Sequence, residues 1–173
     1  MAMQASRPAC VTPRLARRIA LLVLDVDGVL TDGGLWFGAR GEVMKRFHVR
    51  DGHGIKLLRA TGIEVAVISG RQSPAVRARC RELGVRQLLQ GVDDKGAALD
   101  RLLRRFDVSD TQVACIGDDT PDIPLFVRVG LAVAVRDAHP LALRAAHCRT
   151  RLAGGQGAVR EVCDWLLAAR SHP

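Results

Sequence analysis

Strand-sized apolar segments alternate with longer amphipathic segments along most of this 173-residue chain. The short segments are rich in Val, Ile and Leu, which is typical of strands buried on both faces of a sheet. The longer segments carry apolar residues at helical spacing, as between residues 95 and 106, where they fall at Leu99, Leu102, Leu103 and Phe106. This alternation predicts βαβ units, and therefore an α/β fold with a Rossmann-like parallel sheet flanked by helices.

The pattern is regular enough to assign elements. The predicted strands are 19–24, 64–68, 87–89, 113–116 and 131–135, and the predicted helices are 52–61, 74–83, 95–106, 122–128, 140–146 and 158–169. Ser73 followed by Pro74 indicates a helix start, because serine caps a helix and proline suits its first turn. No repeat or linker interrupts the run. We therefore expect a single domain over residues 19–169, preceded by a loose N-terminal tail over residues 1–18.

One segment, between residues 35 and 49, breaks the alternation. Two β-rich stretches flank a glycine-containing loop there, which predicts a β-hairpin. In the second stretch the period of two places Lys45 on one face and Glu42 on the other. A lone hairpin is only marginally stable in water, so we expect this one to pack on another subunit or to cover a site.

Composition narrows the class of protein. Hydrophobic residues make up 48% and charged residues 25%, which is ordinary for a soluble globular domain. The net charge of +8 is spread along the chain without aromatic interleaving, so we expect no nucleic-acid partner. No apolar run approaches the roughly 20 residues needed to cross a bilayer, so we expect no membrane partner. Five cysteines without metal-binding spacing favour a cytoplasmic location.

Polar residues follow four of the predicted strands: Asp25 and Asp27 the first, Ser69 to Arg71 the second, Asp118 and Asp119 the fourth, and Asp137 the fifth. The carboxyl ends of parallel strands meet at one edge of the sheet, where α/β proteins bind their ligands. Two acids one residue apart repel each other unless a cation lies between them or one keeps a proton. Oxygen ligands without paired His or Cys favour Mg²⁺.

These residue types together suit phosphoryl transfer. A carboxylate near Mg²⁺ can attack phosphorus, and the cation and a lysine offset the repulsion between the two anions. A second carboxylate two residues on can protonate the leaving alcohol and then activate water. Taken singly, Ser69, Lys95 and Asp122 are each explained more simply, as a turn hydroxyl, a solvated helix start and an N-cap. Their order along the chain is the stronger signal.

That order resembles the haloacid dehalogenase superfamily, whose four motifs match DVDGV at 25–29, Ser69, Lys95 and GDDTPD at 117–122. The resemblance implies that Asp25 is the nucleophile and Asp27 the general acid/base. It also implies that Ser69 and Lys95 hold the transferring phosphoryl group. The implied Mg²⁺ ligands are Asp25, Asp118 and the backbone carbonyl of Asp27. Asp119 and Asp122 are implied to support the loop that carries Asp118.

Longer segments resemble one family within the superfamily, the 3-deoxy-D-manno-octulosonate 8-phosphate phosphatases of lipopolysaccharide synthesis. The matching segments are DVDGVLTDG, FHVRDGHGIKLL, SGR, LGV, GDDTPDIP, AVRDAHP and GGQGAVREVCD. This resemblance implies a small phosphorylated sugar acid as substrate, a hairpin in place of a cap domain, and a homotetramer whose hairpins and C-terminal loops meet neighbouring sites. The implied substrate-binding residues are Arg50, Ser69, Gly70, Arg71, Lys95 and Gln156.

Other functions remain open at this point. Another sugar-acid phosphate, such as a nonulosonate 9-phosphate, is a close alternative, and Arg50 in HVRDG favours the octulosonate by family resemblance only. Gln156 stands where the family usually has Arg or His, a departure that bears on substrate binding. A receiver-like phosphoacceptor domain also gathers acids, a hydroxyl and a lysine on a parallel sheet, but its lysine comes late in the sequence, whereas Lys95 precedes Asp118. A non-catalytic oligomerisation module is the third alternative, and the presence of Asp25, Asp27, Lys95 and Asp118 argues against it.

Overall fold

A computed structural model of the chain describes residues 8–170. The strands are β1 (Leu21–Leu24), β2 (Trp36–Gly38), β3 (Gly41–Met44), β4 (Glu64–Ser69), β5 (Gln87–Gln90), β6 (Val113–Gly117), β7 (Leu131–Ala134) and β8 (Cys148–Arg149). The α-helices are α1 (Pro13–Arg18), α2 (Val49–Ala60), α3 (Pro74–Leu83), α4 (Lys95–Phe106), α5 (Ile123–Phe126), α6 (Pro140–Ala145) and α7 (Ala158–Ala168). None of the helices between residues 8 and 170 combines the length and apolar character needed to cross a bilayer.

Six strands form one parallel sheet in the order β5-β4-β1-β6-β7-β8, and β2 and β3 form a separate antiparallel hairpin. The predicted α/β fold with a parallel sheet and a hairpin is confirmed. The edge strand β8 was not predicted, because two residues are too few to show a period.

The first strand lies at the centre of the core. In register, Leu22 sits between Val65 of β4 and Ala114 of β6, and every residue of β1, β6 and β7 is buried. Helices α1, α2, α3 and α7 form one contacting group and α4, α5 and α6 another. The chain adds strands on one side of β1 as far as β5 and then adds β6, β7 and β8 on the other side. Because βαβ crossovers are right-handed, this change of side places the two helix groups on opposite faces of the sheet.

Helix α2 begins at Val49, three residues before the predicted start. Its first turns hold Gly52 and Gly54, which disfavour helix in isolation. Packing against α7 overrides that preference: a Cβ on Gly54 would lie 3.2 Å from the Arg160 Cα, and the Asp51 carboxylate accepts a 2.8 Å hydrogen bond from the Arg160 amide. The missing side chains therefore let the two helices approach closely.

The prediction of a loose tail is wrong for residues 11–18. Thr12 caps α1 through a 3.1 Å bond from the Leu15 amide, and Val11 and Ala16 are fully buried. Pro13 occupies the first turn of α1, where proline is tolerated and does not interrupt the helix. Residues 1–7 of the predicted tail lie outside the described residues.

The hairpin is shorter than predicted. Strand β3 ends at Met44, and residues 45–48 leave the strand before α2 begins. The period of two therefore stops before Lys45, and its side chain reaches the same ion-pair cluster as Glu42, at 3.1 Å from it. The predicted separation of these two residues onto opposite faces is corrected accordingly.

Candidate active site

A cavity of about 340 Å³ opens at the carboxyl ends of β1, β4 and β6. Its lining residues are Asp25, Asp27, Ser69, Gly70, Arg71, Val92, Asp93, Lys95, Asp118, Asp119, Pro121 and Asp122. The structure thus brings together nine of the residues proposed from sequence. Convergence of strand ends accounts for most of them, and Lys95 arrives from the first turn of α4, which begins after the N-cap Asp94.

Lys95 links two of the aspartates. Its ammonium, almost fully buried, lies 3.0 Å from Oδ1 of Asp25 and 2.7 Å from Oδ1 of Asp122. Burial alone would lower the pKa of Lys95, but the two carboxylates outweigh it and raise that pKa above its usual value. Lys95 is therefore a fixed cation beside the proposed nucleophile.

One lysine does not balance the negative charge here. Burial, followed by the nearby Asp122 carboxylate, raises the pKa of Asp25 to about 6 even against Lys95. Burial, followed by the Asp25 and Asp122 carboxylates, raises the pKa of Asp118 to about 8. Both carboxylates hold protons more tightly than usual because burial, and then the neighbouring carboxylates, disfavour their charged forms.

Asp122 supports the loop that carries Asp118. Its Oδ2 accepts hydrogen bonds from the amides of Asp118 (2.9 Å) and Asp119 (3.3 Å). Asp119 in turn accepts a 2.6 Å bond from the Thr120 amide. Because both Asp122 oxygens already have donors, Asp25 and Asp118 keep the freer oxygens of the group.

Gly28 makes room for this group. It has a φ of +89°, and a Cβ there would lie 2.0 Å from Oδ2 of Asp118. The glycine that follows Asp27 in the DVDGV motif is thus required both by its left-handed backbone and by the side chain opposite it.

Asp27 faces the hairpin rather than Lys95. Its Oδ1 accepts a short bond from the Lys45 ammonium, and its Oδ2 lies 3.7 Å from Nε of Arg71. Lys45 and Arg71 also contact Glu42, at 3.1 and 3.4 Å. Sequence reasoning missed Glu42 and Lys45, and the one available signal was the pair of opposite charges three residues apart where the strand pattern fades.

Ser69 and Arg71 lie at the end of β4. The Ser69 hydroxyl is buried and accepts a 3.2 Å bond from the Arg71 amide. Among residues 8–170, Nε of Arg71 is buried without a hydrogen-bond partner. A donor left in this state indicates that the cavity is completed by an acceptor, such as an oxygen of an anion.

Arg50 and Gln156 do not line this cavity. Arg50 lines a second cavity of about 650 Å³ together with Arg151 and Arg160. Gln156 is exposed, on a loop that packs against its own chain: Gly155 donates to the Val29 carbonyl (2.9 Å), and Gly154 donates to Oδ1 of Asp137 (3.0 Å). Within one subunit, therefore, neither Arg50 nor Gln156 belongs to the lining of the cavity that holds the aspartates.

The aspartate cluster fits a divalent cation. Carboxylate oxygens of Asp25, Asp118 and Asp122 all lie within 4.8 Å of one another, and two of these groups have raised pKa values. Hard oxygen donors of this kind are the ligands of divalent cations such as Mg²⁺. A cation among them would supply the missing positive charge.

Comparison with known proteins places this site in a family. Residues 87–161 match the haloacid dehalogenase-like hydrolases. Over 155 residues, which are 90% of this chain and 82% of its relative, the sequence is 50% identical to the 3-deoxy-D-manno-octulosonate 8-phosphate phosphatase KdsC of Escherichia coli K12. The chain belongs to the KdsC phosphatase family. The resemblance noted from sequence is thereby confirmed, and the receiver-like and non-catalytic alternatives are not favoured.

Solved structures of KdsC phosphatases agree with the fold. The phosphatase from Yersinia pestis is 48% identical, with a TM-score of 0.90 over 93% of this chain and 87% of that one. The phosphatase from Moraxella catarrhalis, solved with a magnesium ion, a phosphate ion and KDO, is 38% identical, with a TM-score of 0.88 over 91% of this chain and 90% of that one.

Proposed function

We propose that this chain hydrolyses 3-deoxy-D-manno-octulosonate 8-phosphate to the free sugar acid and inorganic phosphate, with Mg²⁺ as cofactor and Asp25 as nucleophile. The observation that carries the proposal is the Asp25 carboxylate, which lies in the cavity 3.0 Å from the ammonium of Lys95. Membership of the KdsC family supports the same substrate.

The two aspartates of the DVDGV motif divide the work. The Asp25 carboxylate attacks phosphorus while the bond from phosphorus to the sugar oxygen breaks, and Asp27 gives its proton to that oxygen. Asp27, now a carboxylate, then accepts a proton from water, and the water oxygen attacks the phosphorus on Asp25. Inorganic phosphate leaves, and both side chains return to their starting states.

Other residues hold the transferring group. Lys95 and the Ser69 hydroxyl bind phosphoryl oxygens, and Gly70 lines the cavity beside them. Nε of Arg71, which lies 3.7 Å from Asp27 and has no hydrogen-bond partner, binds an oxygen of the substrate. Asp25, Asp118 and the backbone carbonyl of Asp27 would hold Mg²⁺, with Asp119 and Asp122 as supports. When bound, that ion supplies positive charge against the repulsion between phosphate and carboxylate.

We further propose that the enzyme is a cytoplasmic homotetramer. Apolar side chains are exposed along the hairpin, at Leu35, Trp36, Phe37, Val43 and Met44. A contiguous exposed apolar surface marks an interaction site, and the family resemblance assigns it to other copies of the chain. Light scattering after size exclusion tests this: Phe37→Glu is expected to dissociate the assembly, and a monomeric wild-type protein contradicts it. Arg50 and Gln156 would then bind a substrate held in a neighbouring subunit.

The function is tested by measuring phosphate release. We expect release from 3-deoxy-D-manno-octulosonate 8-phosphate with Mg²⁺, loss of it on exhaustive chelation, and recovery when Mg²⁺ is returned. The same assay is run on a nonulosonate 9-phosphate and on simple sugar phosphates for comparison. Turnover that survives chelation contradicts the metal requirement, and a clear preference for the nonulosonate contradicts the substrate.

A further inference from the structure

Lys45, the first residue after the hairpin, is buried among exposed neighbours. The apolar residues around it are exposed, yet only 1% of its side chain is accessible. Its ammonium lies between two carboxylates, bonded to Oδ1 of Asp27 and 3.1 Å from Oε2 of Glu42. A buried lysine requires such partners, because it has given up its hydration.

A second cation and a helix cap complete the arrangement. Arg71, which contacts Asp27, lies 3.4 Å from Oε2 of Glu42, and Oε1 of Glu42 accepts a bond from the hydroxyl of Ser73. Burial opposes ionisation of Glu42, but the bonds from Ser73 and Lys45 lower its pKa below the usual value. Ser73 is the buried N-cap of α3, so Glu42 is anchored to the main domain and Lys45 is anchored through Glu42.

We propose that Lys45 is a positioning residue that holds the Asp27 carboxylate in the orientation needed for proton transfer. This inference rests on the proposed role of Asp27 as general acid/base. Lys45 occupies one oxygen of Asp27 and leaves the other toward Arg71 and the cavity. Without the Lys45 ammonium, the only cation left beside both carboxylates is Arg71, at 3.7 Å from Asp27 and 3.4 Å from Glu42, so their mutual repulsion grows and Asp27 turns out of line.

The adjacent residue offers a matched control. Arg46 also pairs with an aspartate of the loop after β1, at 2.6 Å from Asp32, but this pair is exposed and neither of its residues lines the cavity. Exposed pairs contribute little to structure or stability. Arg46→Met therefore removes one cation from the same stretch of chain without disturbing Asp27.

The experiment compares two leaving groups. Because kcat/KM reports the steps up to departure of the alcohol, it is measured for a sugar phosphate, which needs a proton, and for p-nitrophenyl phosphate, whose leaving group departs without one. Misplacement of a catalytic group by about 1 Å can cost about 10²-fold, so we expect Lys45→Met to lower kcat/KM for the sugar phosphate by about 10- to 100-fold. The loss for p-nitrophenyl phosphate is expected to be far smaller. Lys45→Arg, which keeps the positive charge, is expected to retain much of the kcat/KM for the sugar phosphate. Arg46→Met is expected to stay near the wild-type value.

A double-mutant cycle separates positioning from general structural damage. In an Asp27→Asn background, Lys45→Met is expected to add no further loss on the sugar phosphate, because its effect passes through Asp27. Glu42→Gln weakens the anchor while Lys45 itself is kept. Should Lys45→Met not fold, this second variant is expected to show the same dependence on the leaving group.

Three results would overturn the inference: equal losses on both substrates, additive effects of Lys45→Met and Asp27→Asn, or near-wild-type activity of Lys45→Met. Its failure is distinct from failure of the proposed function. A wild-type enzyme that releases phosphate from neither substrate contradicts the function, whereas an active wild-type enzyme with an additive cycle contradicts only the role of Lys45.

Discussion

The two cavities near the ends of the strands and helices have opposite linings. The cavity of about 340 Å³ holds six aspartates against one lysine and one arginine, whereas the cavity of about 650 Å³ holds three arginines against Glu161 and Asp164. The chain as a whole carries a net charge of +8. The proposed phosphate site is thus the acidic one, because its carboxylates do the chemistry and bind the cation, and overall charge is a poor guide to where an anion reacts.

The cavities also differ in how their charges are balanced. In the larger one, Arg151 lies 3.0 Å from Glu161 and Arg160 lies 2.7 Å from Asp164, so two of the three arginines have acidic partners. In the smaller one the acids outnumber their partners, and the pKa values of Asp25 and Asp118 rise. An imbalance of this kind is typical of functional sites, and it disfavours the larger cavity as the centre of reaction.

The largest effect is expected from Asp25→Asn. Loss of the nucleophile should reduce kcat by at least about 10⁴-fold, the scale seen when nucleophiles are removed from other enzymes. Covalent labelling by phosphate analogues should disappear as well. Asp100→Asn, which breaks an exposed pair with Arg128, is the matched control and should stay near wild type. An Asp25→Asn enzyme of near-normal rate would remove the distinction between the two cavities.

The second expectation concerns pH and metal removal. Asp25 and Asp118 have folded-state pKa values of about 6 and about 8, above the ordinary 3.8. Between pH 3.8 and pH 8 the folded, metal-free protein binds more protons than the unfolded chain, so its free energy of unfolding falls as pH rises. Binding of Mg²⁺ must displace these protons, so the affinity for Mg²⁺ should rise from pH 6 to pH 8.

Calorimetry at both pH values measures these changes. From pH 6 to pH 8 the metal-free wild-type protein should lose at least about 3 °C more in Tm than Asp118→Asn does, since that variant lacks the group with the larger shift. Saturating Mg²⁺ should abolish the difference. An equal change in Tm from pH 6 to pH 8 in the two proteins would show that the acidic cavity carries no excess negative charge.

A smaller effect tests whether the arginine cavity takes part in binding. Arg50→Met should raise KM by about 10-fold, the scale of one charge-assisted hydrogen bond, with kcat nearly unchanged. Arg105→Met removes an exposed cation from α4 and is the control. An unchanged KM for Arg50→Met would mean that the larger cavity takes no part in substrate binding and that Arg50 is not a substrate-binding residue.

The smallest effect is expected at Gln156. Gln156→Arg replaces a neutral donor by a charged one, and charge-assisted bonds are roughly twice as strong as neutral ones. KM should fall a few-fold with little change in kcat. Gln156→Met, of similar length but without a donor, should move KM in the opposite direction. If neither substitution changes KM, the loop from Gly154 to Gly157 serves only its own subunit.

The sequence predicted the sheet and most of the acidic cavity because both depend on local order along the chain. Strand ends must converge, so the sequence alone brings Asp25, Ser69 and Asp118 together. Lys45 could not, because its direction depends on β3 ending at Met44, a boundary that a fading alternation does not locate.

Other differences come from packing that local patterns do not encode. Helix α2 extends through Gly52 because α7 covers it, and α1 forms because Val11 and Ala16 find space in the core. Arg50 and Gln156 were assigned by resemblance, and within one subunit both lie outside the acidic cavity. Their proposed contribution depends on a neighbouring subunit, which a single chain's sequence pattern does not describe.

The central position of β1 has a consequence for how the enzyme loses activity on heating. The strand that presents Asp25 is bonded on both sides, to β4 and β6, so it cannot fray as the short edge strands β5 and β8 can. Amide hydrogens of Leu22 to Leu24 should therefore exchange only through global unfolding, while those of β8 and the hairpin exchange through local opening. Heat inactivation should then begin with loss of the peripheral elements while the nucleophile strand is still fully protected.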